Sequence, residues 1–171
     1  MLQQFREITT FVFDVDGVLT DGGLWLFDDG QQVRRMHIKD GYALQLAVKR
    51  GYRVMVISGA KSEAVRLRLT RLGITEVHMG VENKLALLQE YRKANNLVWK
   101  EIMYMGDDVP DIEVMMEAGI ACAPADAAPE IRKIAAYISP LNGGYGCVRQ
   151  IIEKVMKLRG DWTQDTSVPS K

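Results

Sequence analysis

The chain has 171 residues, a length that favours one domain, and its 47% hydrophobic and 26% charged residues are ordinary values for a globular protein. This composition excludes a wholly disordered or low-complexity chain. The 22 basic and 22 acidic residues balance, so no excess of positive charge is available to bind nucleic-acid phosphates or an anionic membrane. Neither partner is predicted.

The N-terminal sequence and the cysteines predict a cytoplasmic protein. The first residues lack a basic segment followed by a long apolar run, and no stretch approaches the roughly 18 apolar residues of a membrane-spanning helix. Cys122 and Cys147 have neither CxxC nor Cys/His spacing. We therefore expect two reduced, buried thiols rather than a metal or redox site.

Apolar runs rich in β-branched and aromatic residues alternate with helical patterns along the chain. The alternation predicts an α/β fold with a doubly wound parallel sheet. The predicted strands are 10–14, 53–58, 76–79, 101–106, 120–123 and 137–139, and the predicted helices are 41–50, 61–72, 84–95, 111–118, 129–134 and 148–158. We expect a single domain over residues 1–160 and a polar C-terminal tail over residues 161–171.

One segment, at about residues 23–38, interrupts the alternation. Residues 24–27 and 31–38 are strand-like and flank the turn sequence Asp28-Asp29-Gly30, which predicts an inserted β-hairpin. Its first strand is apolar along its whole length, and an isolated hairpin is marginally stable in water. The hairpin is therefore expected to pack against another surface, either a second subunit or its own domain.

Acidic, hydroxyl and basic side chains follow the ends of predicted strands. Asp14 and Asp16 follow the first strand at positions i and i+2, so both can reach the crevice at the carboxyl edge of the sheet. Ser58 ends a later strand and is suited to donate to a phosphate oxygen. Taken alone, each could also be an ordinary turn or helix-capping residue.

Two further groups suggest an anionic ligand and a metal ion. Lys84 opens a predicted helix, where a cation opposes the helix dipole and an anionic neighbour would explain it. Asp107, Asp108 and Asp111 follow another strand. Oxygen ligands at this density suit Mg²⁺.

The order of these elements, DxD, Ser, Lys and GDDxxD, resembles the haloacid dehalogenase superfamily of phosphotransferases. The resemblance implies that Asp14 is a nucleophile forming an aspartyl-phosphate, that Asp16 is the acid and base, and that Ser58 and Lys84 hold the phosphoryl oxygens. It further implies Mg²⁺ between Asp14, the main-chain carbonyl of Asp16 and Asp107. Asp108 and Asp111 are expected outside the metal's direct ligands or beside Lys84.

Residues 16–22, the hairpin, residues 37–42, Arg68 and residues 142–149 are similar to the 3-deoxy-D-manno-octulosonate 8-phosphate phosphatases, over about residues 8–158. The similarity implies hydrolysis of a small sugar-acid phosphate in lipopolysaccharide sugar biosynthesis. It also implies a homotetramer without a cap domain, in which a neighbouring subunit covers the site. The implied substrate-binding residues are Asp16, His37, Ile38, Lys39, Asp40, Gly41, Gln45, Ala60, Arg68, Lys84 and Arg149.

Two positions leave the identity of the sugar undecided. Some members of the family carry Arg or Glu where this chain has Ala60, and some carry Arg where it has Gln45. Arg68 could equally belong to a solvated helix face. Residues 143–146 are expected to form a mobile flap over the site, with an ordinary loop as the alternative.

Three other functions remain alternatives. One is a 9-phosphate phosphatase acting on a nine-carbon keto-sugar acid. Another is a receiver-like phospho-switch, although in receivers the phosphorylated Asp lies on a different strand from the acidic pair. The third is a binding module that has lost its activity. The sequence argues against this alternative, because every superfamily position is intact.

Overall fold

The computed structural model describes residues 2–169. Its strands are β1 (Thr10–Phe13), β2 (Trp25–Leu26), β3 (Gln32–Val33), β4 (Arg53–Ser58), β5 (Glu76–Met79), β6 (Ile102–Met105), β7 (Ile120–Ala123) and β8 (Tyr137–Ile138). Its helices are α1 (Leu2–Glu7), α2 (Ile38–Lys49), α3 (Glu63–Arg71), α4 (Lys84–Ala94), α5 (Ile112–Glu117), α6 (Pro129–Ile134) and α7 (Cys147–Arg159). No inserted cap domain interrupts these elements over the described residues.

Six parallel strands form one sheet in the order β5-β4-β1-β6-β7-β8. The chain first builds outward from β1 through β4 to β5 and then returns to place β6 on the other side of β1. The strand order therefore reverses beside β1, which is where open α/β sheets bind ligands. The predicted doubly wound α/β fold is confirmed.

Helices cover both faces of the sheet, and alternate side chains of β1 point into the two resulting cores. Phe11 and Phe13 pack on the face covered by α1, α2, α3 and α7. Val12 points to the opposite face, together with Tyr104 and residues of α4, α5 and α6. A central strand buried on both faces carries an unbroken apolar run rather than an alternating one, as the sequence of β1 does.

The inserted hairpin is present, with β2 antiparallel to β3 and Trp25 opposite Val33. Its paired part is two residues per strand, shorter than the strand-like sequence suggests. The side chains of Trp25 and Leu26 are 71% and 72% exposed. In the single chain the apolar side chains of β2 therefore do not pack against their own domain.

The structure differs from the sequence prediction at the two ends of the chain. Helix α1 was not predicted, because its six residues are mostly polar and Phe5 is the one that it buries, and it is held by packing against α7. Residues 161–169 of the predicted tail lie along α2: Asp165 pairs with Lys49 at 2.7 Å, and Val168 is 9% exposed. Residues 170 and 171 of that tail lie outside the described residues.

Cys122 and Cys147 are buried, unpaired thiols, as expected, and burial raises the pKa of both. No helix in residues 2–169 is long and apolar enough to cross a membrane.

Candidate active site

The loop that follows β1 brings the first two acidic residues to the carboxyl edge of the sheet. Asp14 is the first residue beyond β1, and the backbone over Val15–Leu19 turns tightly, with Gly17 at a φ of 79°. A Cβ on Gly17 would lie 2.0 Å from Oδ2 of Asp107. Only glycine allows both this backbone conformation and this approach of Asp107.

A buried lysine links two of the carboxylates. Lys84 Nζ lies 3.0 Å from Asp14 Oδ2 and 2.7 Å from Asp111 Oδ1. Asp111 is held in turn by the Tyr104 hydroxyl, which donates to Oδ1 at 2.7 Å, and by the Asp107 amide, which donates to Oδ2 at 3.1 Å. Asp111 therefore lies beside Lys84, one of the two positions that the resemblance implies for it.

Lys84 lies between these carboxylates as the first residue of α4. Asn83 caps α4 by accepting a hydrogen bond from the Ala86 amide at 2.8 Å. Burial alone would lower the pKa of Lys84, but Asp14 and Asp111 outweigh it and raise the pKa above the ordinary lysine value. Asp14 and Asp111 are the anionic neighbours that explain a cation at this helix terminus.

Asp14, Asp107 and Asp111 each place a carboxylate oxygen within 4.8 Å of the others. Burial, followed by the neighbouring carboxylates, raises the pKa of Asp14 and of Asp107 to about 7. Lys84 is the one cation paired with this cluster among the described ion pairs. Such a charge imbalance fits a divalent cation with hard oxygen ligands.

One cavity, of about 340 Å³, opens over these groups. It is lined by Asp14, Asp16, Gly17, Gly22, Ser58, Gly59, Ala60, Lys84, Asp107, Asp108, Pro110 and Asp111. Ser58 is 2% exposed at the end of β4, and its Oγ accepts the Ala60 amide at 3.1 Å. Its hydroxyl hydrogen remains available for a phosphate oxygen.

Asp16 has a partner that sequence reasoning missed. Arg34 holds its carboxylate through two contacts, Nε to Oδ1 at 2.7 Å and Nη2 to Oδ2 at 3.1 Å. Arg34 and Arg35 are adjacent in the hairpin, and nothing in the local sequence says which of the two turns inward. The signal that was available is the presence of two arginines in a segment leading into residues implied at the substrate.

The implied substrate-binding residues do not surround one cavity in the single chain. Asp16, Ala60 and Lys84 line the catalytic cavity. His37, Lys39 and Arg149 line a separate cavity of about 540 Å³, Gln45 lines one formed with residues 167–169, and Arg68 lines another on α3. Ile38 is 64% exposed. The local sequence shows none of these separations, because they arise from the packing of α2, α3 and α7.

Asp40 and Gly41, which the resemblance implies at the substrate, are buried in packing contacts in the single chain. Asp40 is 1% exposed, and its Oδ1 accepts the Arg149 amide at 2.7 Å near the start of α7. A Cβ on Gly41 would lie 3.0 Å from Arg68 Nη2. Gln45 is likewise engaged, since its Nε2 donates to the Pro169 carbonyl at 3.0 Å.

The expected mobile flap is also corrected. Gly143 and Gly144 are buried against the loop that carries Asp16, and the Gly144 amide donates to Val18 O at 2.9 Å. A Cβ on Gly143 would lie 1.9 Å from Gly17 O. These glycines allow two backbone segments to touch, so the stretch supports the catalytic loop instead of covering it.

Comparison with known proteins agrees with this geometry. A family profile of haloacid dehalogenase-like hydrolases matches residues 73–151. The 3-deoxy-D-manno-octulosonate 8-phosphate phosphatase KdsC of Escherichia coli K12 is 31% identical over 160 residues, which cover 94% of this chain and 85% of that protein. The corresponding phosphatase of Salmonella typhi is 30% identical over the same length.

Solved structures are similar over the same extent. The Yersinia pestis 3-deoxy-D-manno-octulosonate 8-phosphate phosphatase superposes with a TM-score of 0.91 at 28% identity, covering 94% of this chain and 86% of that chain. The Moraxella catarrhalis phosphatase, solved with a magnesium ion, a phosphate ion and a KDO molecule, gives a TM-score of 0.90 at 30% identity, covering 94% and 92%.

The profile match and the sheet topology agree on the class of protein, a haloacid dehalogenase-like hydrolase. The identity to the Escherichia coli phosphatase extends over most of both chains. The chain belongs to the family of 3-deoxy-D-manno-octulosonate 8-phosphate phosphatases. The resemblance seen in the sequence is confirmed, and this membership decides against the receiver-like alternative.

Proposed function

We propose that this protein is a Mg²⁺-dependent phosphatase that hydrolyses 3-deoxy-D-manno-octulosonate 8-phosphate. The observation that carries the proposal is the contact of Lys84 Nζ with Asp14 Oδ2, at 3.0 Å, in a buried acidic cluster. A carboxylate attacks a phosphate dianion only where their mutual repulsion is cancelled. The names of the relatives supply the substrate.

Asp14 and Asp16 divide the chemistry between them. Asp14 attacks phosphorus, so an O–P bond forms to its carboxylate while the bond to the sugar oxygen breaks. Asp16 donates a proton to the leaving sugar oxygen. In the second half of the reaction, Asp16 accepts a proton from the water that displaces phosphate from Asp14.

The carboxylates of Asp14 and Asp107, with the main-chain carbonyl of Asp16, would hold Mg²⁺. The bound ion neutralises negative charge around the transferring phosphoryl group. Ser58 and Lys84 bind phosphoryl oxygens, and Asp111 orients Lys84 by the 2.7 Å contact. Asp108 accepts its own neighbour's amide, Val109 N, at 2.8 Å, so it stands outside these contacts.

The assembly we propose is a homotetramer in the cytoplasm. Trp25, Leu26 and Phe27 are 71%, 72% and 55% exposed in succession, and an apolar surface of this kind is expected to be covered by another chain. Pairing of hairpins between subunits would cover it. A neighbouring subunit would also bring its own His37, Lys39, Arg68 or Arg149 toward a catalytic cavity that lacks these residues in the single chain.

Phosphate release from a panel of eight- and nine-carbon keto-sugar acid phosphates with Mg²⁺ tests the reaction and the sugar. The expected result is the highest kcat/KM for 3-deoxy-D-manno-octulosonate 8-phosphate. A higher value for a nine-carbon 9-phosphate would change the sugar but keep the reaction class. Phosphate release from none of the panel would remove the proposed function.

Arg68→Ala tests the recognition of the substrate carboxylate. We expect a higher KM for the sugar-acid phosphate and an unchanged KM for p-nitrophenyl phosphate, which has no carboxylate. Arg66→Ala is the matched control, because Arg66 lies on the same helix and pairs with Glu63. Equal effects of the two variants on KM would show that Arg68 does not bind the substrate carboxylate.

Light scattering tests the assembly. The expected mass is that of a tetramer, and Trp25→Glu is expected to dissociate it. Met116→Glu is the control, because Met116 is 72% exposed on α5 and Trp25 is 71% exposed on the hairpin. A monomeric wild type, or a tetramer unaffected by Trp25→Glu, would contradict the role of the hairpin.

A further inference from the structure

The ion pair between Arg34 and Asp16 links the inserted hairpin to the catalytic loop. Arg34 follows β3 directly, and its side chain is 5% exposed, whereas the side chain of Asp16 is 35% exposed. The two contacts, at 2.7 Å and 3.1 Å, join the guanidinium edge to both carboxylate oxygens. A planar fork of this kind fixes the orientation of a carboxylate as well as its position.

The contacts divide unequally between the two carboxylate oxygens. Oδ1 of Asp16 accepts from Arg34 Nε and from the Thr20 hydroxyl, the latter at 3.3 Å. Oδ2 accepts from Arg34 Nη2 in the described contacts. A carboxylate oxygen offers about two acceptor positions, so Oδ2 keeps one free position in a carboxylate that is otherwise held.

Thr20, the second partner of Asp16 Oδ1, is itself held in place by its surroundings. Its side chain is fully buried, and its Oγ1 accepts the Gly22 amide at 3.2 Å. Met36, two residues beyond Arg34, pairs with Thr20 in an antiparallel bridge. The strand leaving the hairpin and the loop carrying Asp16 are therefore joined at two neighbouring points.

We propose that Arg34 is a positioning residue that holds the Asp16 carboxylate with Oδ2 directed to proton transfer, so that the hairpin sets the geometry of the acid and base. This inference rests on the proposed function. The proton moves from Oδ2 to the sugar oxygen as its bond to phosphorus breaks, and a proton from the attacking water returns to Oδ2 in the second step. Arg34 forms no bond with the substrate and acts only through Asp16.

Arg35 provides a matched comparison. It is the next residue along the chain after Arg34, but its side chain is 52% exposed and it pairs with Asp21 at 2.9 Å. Its guanidinium also lies 4.5 Å from the centre of the Tyr145 ring. Substitution of Arg35 therefore removes a hairpin arginine and its ion pair without touching Asp16.

The first experiment compares Arg34→Met, Arg34→Lys and Arg35→Met with two esters. For an alkyl phosphate such as the sugar-acid phosphate, whose leaving oxygen requires a proton, Arg34→Met is expected to lower kcat at least about tenfold. For p-nitrophenyl phosphate the expected loss is less than about threefold, which also shows that the variant is folded. Arg34→Lys is expected to recover part of the loss, and Arg35→Met to keep the wild-type ratio between the esters.

The double variant Asp16→Asn with Arg34→Met shows whether Arg34 acts through Asp16. If it does, adding Arg34→Met to Asp16→Asn causes no further loss with the alkyl ester, because coupled residues are not additive. Equal losses on both esters, a rise in kcat or additive losses would overturn the proposal.

Arginine Nε–H signals in ¹H–¹⁵N spectra test the contact without any turnover. Arg34→Lys identifies the Arg34 signal by its disappearance. Asp16→Asn is expected to move that signal and to leave the Arg35 signal in place. An unmoved Arg34 signal overturns the inference, whereas a moved signal in a protein that hydrolyses neither ester supports the contact and removes the proposed function instead.

Discussion

The ammonium nitrogen of Lys84 lies 3.0 Å from Oδ2 of Asp14, although the two residues belong to different elements, α4 and the end of β1. The same nitrogen lies 2.7 Å from Asp111. A single buried cation therefore holds the proposed nucleophile and an anchoring carboxylate together, and several variants follow from this arrangement.

Asp14→Asn is expected to remove turnover while leaving the fold intact. The amide has the same shape but lacks the charge needed to attack phosphorus, so kcat should fall at least about a thousandfold. Phosphate release and circular dichroism provide the two measurements. Glu113→Gln, the same change at an exposed position of α5, is the control, and more than about a tenth of the wild-type rate in Asp14→Asn would contradict the nucleophile assignment.

Lys84→Met is expected to separate metal binding from activity. Removing the cation leaves Asp14, Asp107 and Asp111 with an uncompensated negative charge, so Mg²⁺ should bind more tightly while kcat falls at least about a hundredfold. Titration calorimetry with Mg²⁺ and a phosphate-release assay measure the two effects. Lys93→Met, at an exposed position of the same helix, should change neither, and weaker Mg²⁺ binding in Lys84→Met would show that Lys84 supports the metal site.

Gly144→Ala tests the contact between residues 143–146 and the catalytic loop. Gly144 and Gly160 both have positive φ, 67° and 79°, but a Cβ on Gly144 would lie 2.4 Å from Asp21 N, whereas nothing lies within 4 Å of one on Gly160. Gly160→Ala should therefore cost about 1 kcal/mol from backbone strain alone. Gly144→Ala should cost at least about 2 kcal/mol more, because backbone atoms must move.

Urea unfolding of the two glycine variants measures this difference, and phosphate release shows whether the catalytic loop is displaced with it. Equal stability of Gly144→Ala and Gly160→Ala would mean that the stretch is free to move away from the loop. That result would restore the flap expected from the sequence.

Asp40→Asn is expected to change the dependence of stability on pH. Burial raises the pKa of Asp40 in the folded protein to about 6, above about 3.9 in the unfolded chain. The folded state therefore binds the proton more tightly, and the stability contributed by this group is lost as pH rises between those values. The asparagine keeps an acceptor for the Arg149 amide and carries no charge.

The free energy of unfolding of the variant, compared with that of wild type, should therefore rise by about 1 kcal/mol from pH 5 to pH 8. Urea unfolding at the two pH values measures the change. Asp29→Asn is the control, because its carboxylate also accepts a backbone amide, from Gln31, but is exposed on the hairpin. A gain in stability that is the same at both pH values would contradict the effect of burial on Asp40.

The strand ends and the residues that follow them could be predicted from the sequence. Apolar runs bounded by glycine and acidic residues mark β1, β4 and β6, and parallel strands of one sheet have their carboxyl ends at one edge. Asp14, Ser58 and Asp107 were therefore expected at one edge of the sheet, and the adjacency of β4, β1 and β6 in the structure brings them together there. The cation at the start of α4 was predictable for a related reason, because its position conflicts with the helix dipole unless an anion is close.

Contacts between distant elements were decided only by the tertiary structure. Arg34 and Arg35 have the same local sequence context, yet Arg34 is buried against Asp16 and Arg35 is exposed. Asp40 and residues 143–146 carry features of a ligand site, yet they hold α7 and the catalytic loop in place. Local periodicity determines where elements begin and end. The parallel direction of the strands determines which edge of the sheet carries the chemistry. Which side chain turns inward depends on packing between segments far apart in the chain, and this packing has no local signature.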